Sequence, residues 1–349
     1  MATIQNPAIP KGSTVLVTGV NGFIGSHVAD QFLQLGYKVR GAVRDVQKNA
    51  WMKELFTKNY GEGQFELVAV PDITSEGAFE AAAKDASAVV HVASVVNFDP
   101  DPTKVIPVAV EGAVNSLKAA NKEPSVKRYV LTSSSAAASL PNPDKEKLIT
   151  RDTWNDESVQ ATKVDAPYPP ELAMHTYAAS KTLAEQAIWK FYNENQERRP
   201  DLVVNTVLPN MNFGKSLDYT NQGAPSTSKI IEALWYGVDL DRAAQFGPQY
   251  FVDVQDVARL HVAAVIHPGV KGERIFGYAE RFNHDAVLDI LRKQNPEREF
   301  VPNFLSGTDR SVIELRGRAE QLLQELGRPG FTSMEDSVWM NSEPLRRQK

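Results

Sequence analysis

The chain contains no cysteine, which excludes disulfides, thiolate metal sites and a cysteine nucleophile. Charge of one sign is never concentrated: the formal net charge is −5 and no block of five or six basic residues occurs. Nucleic acid is therefore not an expected partner. Long hydrophobic runs are missing as well, since no apolar stretch approaches the ~18 residues of a membrane-spanning helix. The opening Met1-Ala2-Thr3-Ile4-Gln5-Asn6-Pro7 lacks the charged and apolar regions of a signal peptide, so a soluble cytoplasmic protein is expected. The six histidines (His27, His91, His175, His261, His267, His284) show no metal-ligand spacing, and no metal site is expected. The 349 residues, 42% of them hydrophobic, suffice for one large domain or two closely joined ones with a sizeable core.

The dominant rhythm is a short apolar run followed by an amphipathic stretch. Strands are predicted at 13–18, 37–43, 65–70, 88–93, 128–132 and 203–208, with helices near 46–58, 75–85, 105–121 and 175–197. Strands that are apolar throughout, alternating with helices, imply a parallel sheet covered on both faces. The expected fold is α/β, a Rossmann-type doubly wound parallel sheet with a smaller, mixed α/β C-terminal substrate lobe. Residues 141–170, rich in Pro, Asp, Glu and Lys, read as a surface excursion. The dinucleotide-binding part is expected to span 1–209 with a return segment near 248–267, and the lobe 210–247 and 268–349. Within these, 251–255 reads as a short element, and 257–267, 284–293 and 312–326 as helices.

Thr18-Gly19-Val20-Asn21-Gly22-Phe23-Ile24-Gly25 follows the first strand and opens the first helix. Gly19 permits a tight turn, Gly22 lets the backbone approach a pyrophosphate, and Gly25 lets helix and strand pack closely. The N–H groups at the helix start supply partial positive charge to phosphates. After the second strand come Arg44 and then Asp45. Arg44 is placed to stack on adenine and pair with a 2′-phosphate, with Lys48 as a second cation. Asp45 lies at the distance of a ribose-binding acid and argues for NAD. Because Arg44 comes first, NADPH/NADP+ is the expected cofactor.

Tyr177-Ala178-Ala179-Ser180-Lys181 places a phenol and an ammonium one turn apart on a helix. A neighbouring cation favours the phenolate and makes tyrosine a usable acid or base near neutral pH. Upstream, the fifth strand runs into Thr132-Ser133-Ser134-Ser135, whose hydroxyls lie where ligands sit in an open α/β sheet.

The glycine turn, serine cluster and Tyr/Lys pair, in this order, resemble the extended short-chain dehydrogenase/reductase superfamily over nearly the whole chain. Several segments are similar to its branch of dihydroflavonol reductases, cinnamoyl-CoA reductases and fungal NADPH-dependent aldehyde and ketone reductases. These are residues 39–44 (VRGAVR), 90–94 (VHVAS), 126–134 (VKRYVLTSS), 177–181 (YAASK), 251–258 (FVDVQDVA) and 326–330 (LGRPG). The resemblance implies hydride transfer to the carbonyl of a small-molecule aldehyde or ketone. Tyr177 would be the proton donor, Lys181 would lower its pKa and bind the nicotinamide ribose, and Ser134 would bind the carbonyl oxygen. Ser133 and Ser135 remain rivals for the serine role. The resemblance also implies Asn115 as a fourth catalytic position and Asp72 and Ile73 at adenine. It places Ala93, Ser94 and Ser133 along the cofactor and Pro209 and Asn210 at its nicotinamide end.

Other residues admit blander readings. His91 is expected in the core, and Asp253 with Asp256 as helix capping. Trp235, Tyr236, Phe213 and Tyr219 either line an apolar pocket or form lobe core, and both readings stay open. The competing functions are a nucleotide-sugar epimerase or dehydratase of the same superfamily, which would retain NAD+, and a non-catalytic NADP-binding sensor. Natural substrate, product stereochemistry and the choice between monomer and homodimer are left open.

Overall fold

Alternate residues of the first strand serve two different cores. Val15 and Val17 pack on one face with Val28, Phe32 and Leu260, while Leu16 packs on the other with Val89, Leu117 and Leu131. A strand buried on both faces belongs inside a covered parallel sheet. The computed structural model describes residues 4–347 apart from Asn97 and Asp144, so Met1 to Thr3 of the lead-in lie outside the described residues.

Twelve strands are present among the described residues. They are β1 (Thr14–Thr18), β2 (Lys38–Val43), β3 (Phe65–Ala69), β4 (Ala88–His91), β5 (Arg128–Thr132), β6 (Leu148–Ile149), β7 (Val203–Pro209), β8 (Met211–Phe213), β9 (Gln249–Asp253), β10 (Arg274–Gly277), β11 (Glu280–Phe282) and β12 (Val312–Ile313). The main sheet has the order β3-β2-β1-β4-β5-β7-β10, and all its pairings are parallel. The order reverses between β1 and β4, which opens a crevice at the carboxyl ends of the strands. A small mixed sheet, β11-β9-β8, lies beyond it. The expected architecture is therefore present.

Small residues set the approach of the two longest helices, Pro102–Lys122 and Leu172–Glu194. Ala109, Ala113 and Ala120 on the first, and Ala178, Ala179 and Ala184 on the second, are all buried, and the helices pack together against the sheet. On the opposite face, helix Phe23–Gln34 packs on helix Val254–Ile266.

Several elements differ from expectation. The region 75–85 forms only a short helix, Glu80–Ala83, because Asp72 and its neighbours fold into a hydrogen-bonded turn instead. Val312–Ile313 is strand rather than helix, paired with β6, and the helix begins at Arg316. The excursion 141–170 is thus partly structured, with β6 and the helix Asp156–Ala161. Residues 268–349, expected in the lobe, give β10 to the main sheet, and the helix Arg316–Glu325 adds Ala319, Leu322 and Leu323 to its core. Conversely, β9, inside the expected return segment, pairs in the small sheet. The third core gathers Phe213, Trp235, Phe251 and Leu288, so Trp235 and Phe213 are lobe core. Each such buried large side chain contributes roughly 1.5–3 kcal/mol. Among the described residues no helix is long and apolar enough to cross a membrane.

Candidate active site

The glycine turn closes directly onto the end of β4. Gly19 has a φ of +61°, and a Cβ there would lie 2.8 Å from the Ala93 Cα. A Cβ on Gly25 would meet the Gly19 carbonyl oxygen at 2.2 Å, so only glycine lets the helix start this near the turn. Gly22 is the residue before the helix, with its N–H bonded to the Gly19 carbonyl at 3.0 Å. Thr18 Oγ1 accepts from the N–H groups of Val92 and Ala93, both at 3.1 Å, and contacts His91 Nδ1 at 3.0 Å. His91 is thereby a core residue, its pKa depressed to about 3 by burial first and by the Lys181 charge second. Exposed Asn21 lends its carbonyl to Gln222 Nε2 at 3.3 Å, Phe23 is buried, and Ile24 faces the crevice.

Arg44 is exposed at the end of β2. Asp45 is engaged locally: Oδ1 accepts from the Lys48 N–H at 3.1 Å, and Oδ2 lies 4.0 Å from Lys48 Nζ. Asp72 likewise spends its carboxylate on its own turn, taking bonds from Thr74 N–H (2.9 Å), Thr74 Oγ1 (2.7 Å) and Ser75 Oγ (2.9 Å). These bonds, the backbone one foremost, hold the Asp72 carboxyl below its usual range. Ile73 packs on the helix at Gly112, where a Cβ would fall 2.7 Å from Ile73 Cδ1. Asn115 is not gathered with the serine and tyrosine. Its amide donates to the carbonyls of Ile73, Thr74 and Ser75, so it braces that turn.

The three serines point three ways. Ser133 Oγ donates inward to Glu185 Oε2 at 2.7 Å. The Ser135 side chain faces Tyr278, whose pKa it draws down against the raising effect of burial. Ser134 Oγ alone among them receives the Tyr177 hydroxyl, at 3.4 Å, while accepting from the Ala136 N–H at 3.2 Å.

Tyr177 and Lys181 share one face of the helix Leu172–Glu194. Lys181 is only 7% exposed and its Nζ donates to the Thr132 carbonyl at 3.4 Å. Burial lowers its pKa to about 8, against the raising effect of Glu185. The acidified phenol anticipated from the spacing is not what the geometry produces. Burial raises the Tyr177 pKa and the Ser134 contact draws it partly back. A shared helical face aligns the two residues, but what acts on the phenol is its burial and the Ser134 contact.

These residues floor a cavity of about 850 Å³ that also takes in Ser94, Pro209 and Asn210. Asn210 N–H bonds to the Gly277 carbonyl at 3.1 Å, tying this wall to β10. Sequence reasoning missed Phe98, whose ring lies 5.1 Å from the Tyr177 ring and 6.0 Å from Phe246. Nothing in its sequence context marks it. It missed Glu185 too, although its spacing of four from Lys181 was a readable signal. Tyr236 also lines the cavity. Tyr219 instead donates to Glu232 at 3.0 Å. Asp253 caps its helix by accepting from the Gln255 N–H at 2.8 Å, whereas Asp256 pairs with Arg259 at 2.7 Å.

Known proteins resemble this chain along most of its length. The NAD dependent epimerase/dehydratase family model matches residues 15–276. The NAD-dependent epimerase/dehydratase terH of Aspergillus terreus is 41% identical over 341 residues, 96% of this chain and 98% of that protein. Aldehyde reductase 2 of Sporidiobolus salmonicolor is 39% identical over 340 residues, 97% of each. The crystal structure of Gre2 from Candida albicans, in complex with NADPH, superposes with a TM-score of 0.81 at 26% identity, covering 97% of this chain and 100% of that one.

Proposed function

The chain belongs to the NAD dependent epimerase/dehydratase family, the extended short-chain dehydrogenases/reductases, and from that premise we propose that it is an oxidoreductase reducing an aldehyde or ketone with NADPH. The observation that carries the reading is the Tyr177–Ser134 contact on the floor of the cavity, with Lys181 one turn along. The reductase name of the Sporidiobolus relative and the NADPH of the Candida structure support it.

The residues present suit a dinucleotide. The Gly19–Gly25 turn leaves no space for side chains where the helix start meets Ala93, which keeps backbone N–H groups open to a pyrophosphate. Arg44 and Lys48 offer cations at the end of β2 for a 2′-phosphate, and the bonds of Asp45 to Lys48 leave it less suited to a ribose hydroxyl. Asp72 and Ile73 would flank adenine, and Ala93, Ser94 and Ser133 would follow the backbone of the cofactor. Pro209 and Asn210 would meet its nicotinamide end, with Lys181 on the ribose. When bound, NADPH supplies the hydride that adds to the carbonyl carbon.

The chain's own work is on the carbonyl oxygen. Ser134 Oγ donates a hydrogen bond to that oxygen and stabilises its growing negative charge. Tyr177 gives its phenolic proton to the oxygen as the alkoxide forms, and the hydroxyl product results. A phenol raised by burial stays protonated at neutral pH, which is the form a reduction requires. Lys181, held near Thr132, is the cation beside the phenolate left behind.

Absorbance loss at the NADPH band, with a panel of aldehydes, α- and β-keto esters and aryl ketones, tests the reading. Turnover of some member with NADPH in preference to NADH is expected. Purified protein carrying stoichiometric NAD+ and inert toward the panel would instead favour an epimerase or dehydratase.

A further inference from the structure

One turn beyond Lys181 on the same helical face lies Glu185, fully buried. Five donors converge on its carboxylate. Oε1 takes Arg274 Nε (2.8 Å), Thr206 Oγ1 (2.8 Å) and Trp189 Nε1 (3.2 Å), and Oε2 takes Ser133 Oγ (2.7 Å) and Arg274 Nη2 (3.2 Å). Arg274, on the edge strand β10, is only 5% exposed. Its Nη1 donates to the carbonyls of Arg151 (2.6 Å) and Thr153 (2.8 Å), and its guanidinium lies 3.9 Å from the Trp154 ring centroid. A buried carboxylate gripped by a forked guanidinium is a negative charge with little freedom to move.

We infer that Glu185 and Arg274 form a positioning pair for Tyr177 and Lys181, with Glu185 fixing a negative charge one helical turn from Lys181. Through Ser133 the same carboxylate holds the strand end from which Ser134 meets Tyr177. This rests on the roles proposed above for Tyr177, Lys181 and Ser134.

Among the described residues around Lys181, Glu185 is the carboxylate whose charge acts on it. On its own helix the other titratable neighbour is Tyr177, a neutral phenol. From β4 comes His91, kept neutral by burial. β5 offers the Thr132 carbonyl, and the helix Pro102–Lys122 contributes Ala109 and Ala113 to the same small recess. From β10, Arg274 is directed at Glu185 and not at Lys181. Burial alone drives the lysine toward the neutral amine, and the Glu185 charge works against that drift.

Two readouts on the full-length protein test this. The variants are E185Q, E185Q/R274Q, which leaves no unpaired buried charge, and E185D, which keeps the charge. Thermal melting and NADPH titration select those that fold. Lysine 13Cε NMR titration reports Lys181 directly, whatever reaction the protein performs. In E185Q/R274Q the Lys181 resonance should titrate at lower pH than in the wild type. The alkaline limb of kcat/KM should move with it, so that the activity ratio between pH 8 and pH 6 falls about fivefold for one unit of displacement from a starting value of about 8. E185D should retain the wild-type limb. A folded glutamine variant whose Lys181 resonance does not move overturns the inference. If that resonance moves while the wild type reduces no carbonyl compound, the positioning pair stands and the proposed reaction is what fails.

Discussion

Tyr177 and Ser134, 43 positions apart in the chain, bring their hydroxyl oxygens to 3.4 Å on the floor of the cavity. The tyrosine arrives on a helix and the serine at the end of β5, so the contact exists only because that helix packs against the turn that follows β5.

Removing the phenolic proton while keeping the ring isolates its role. Tyr177→Phe should lower turnover by about 10²–10⁴-fold, the usual cost of an acid/base group. NADPH affinity, measured by fluorescence titration, should change little. Turnover near that of the wild type would take Tyr177 out of the mechanism.

The serines should separate cleanly. Ser134→Ala should cost about 10²–10³ in kcat, as for a donor to a developing oxyanion. Ser135→Ala, whose hydroxyl is turned toward Tyr278, should stay within a few-fold of wild type. Steady-state kinetics on both variants check the assignment, and the reverse pattern would move the role to Ser135.

Reduction should weaken as pH rises through about 8, where buried Lys181 loses its proton. The sign follows from the lysine pKa being lowered: the ammonium form is present below that value and lost above it. The pH dependence of kcat/KM gives the limb. A profile flat up to pH 10 would exclude Lys181 as the controlling group.

Cofactor choice should rest on Arg44. Losing a charged hydrogen bond of about 1.5–3 kcal/mol, Arg44→Ala should raise KM for NADPH roughly 10–100-fold. KM for NADH should barely change, since NADH has no 2′-phosphate. Equal effects on both cofactors would show that Arg44 does not read that phosphate.

Gly25→Ala should weaken dinucleotide binding and lower thermal stability. The new Cβ would sit 2.2 Å from the Gly19 carbonyl, against backbone that has no flexible side chain to yield. Overpacking of this kind costs about 1–3 kcal/mol or more. Thermal melting with and without NADPH distinguishes a lost fold from a lost site.

How much was legible follows from which interactions are local. β1 to β5 and β7 were readable because strands buried on both faces need continuous apolar residues. The glycine turn was readable because a backbone contact leaves its mark as an absence of side chain. The register of Thr132-Ser133-Ser134-Ser135 was not, because three identical residues carry no signal of which faces inward. Nor was β10, whose four residues pair only with β7 at an edge and rank below many apolar runs in the sequence. The Asp72 turn and the strand at Val312 escaped for the same reason, since each depends on a partner or a backbone bond outside any periodic pattern.

The order of motifs along the chain determined by itself the family, the doubly wound sheet and the pairing of a phenol with a cation on one helical face. Spacing along a helix or strand is a local property, and local properties survive in a linear string. Only the tertiary structure decided that Ser134 meets Tyr177, that burial raises the pKa of the phenol, and that Ser133 and Arg274 close on Glu185. Those outcomes turn on dielectric and on distances between remote segments, which exist once the chain has packed.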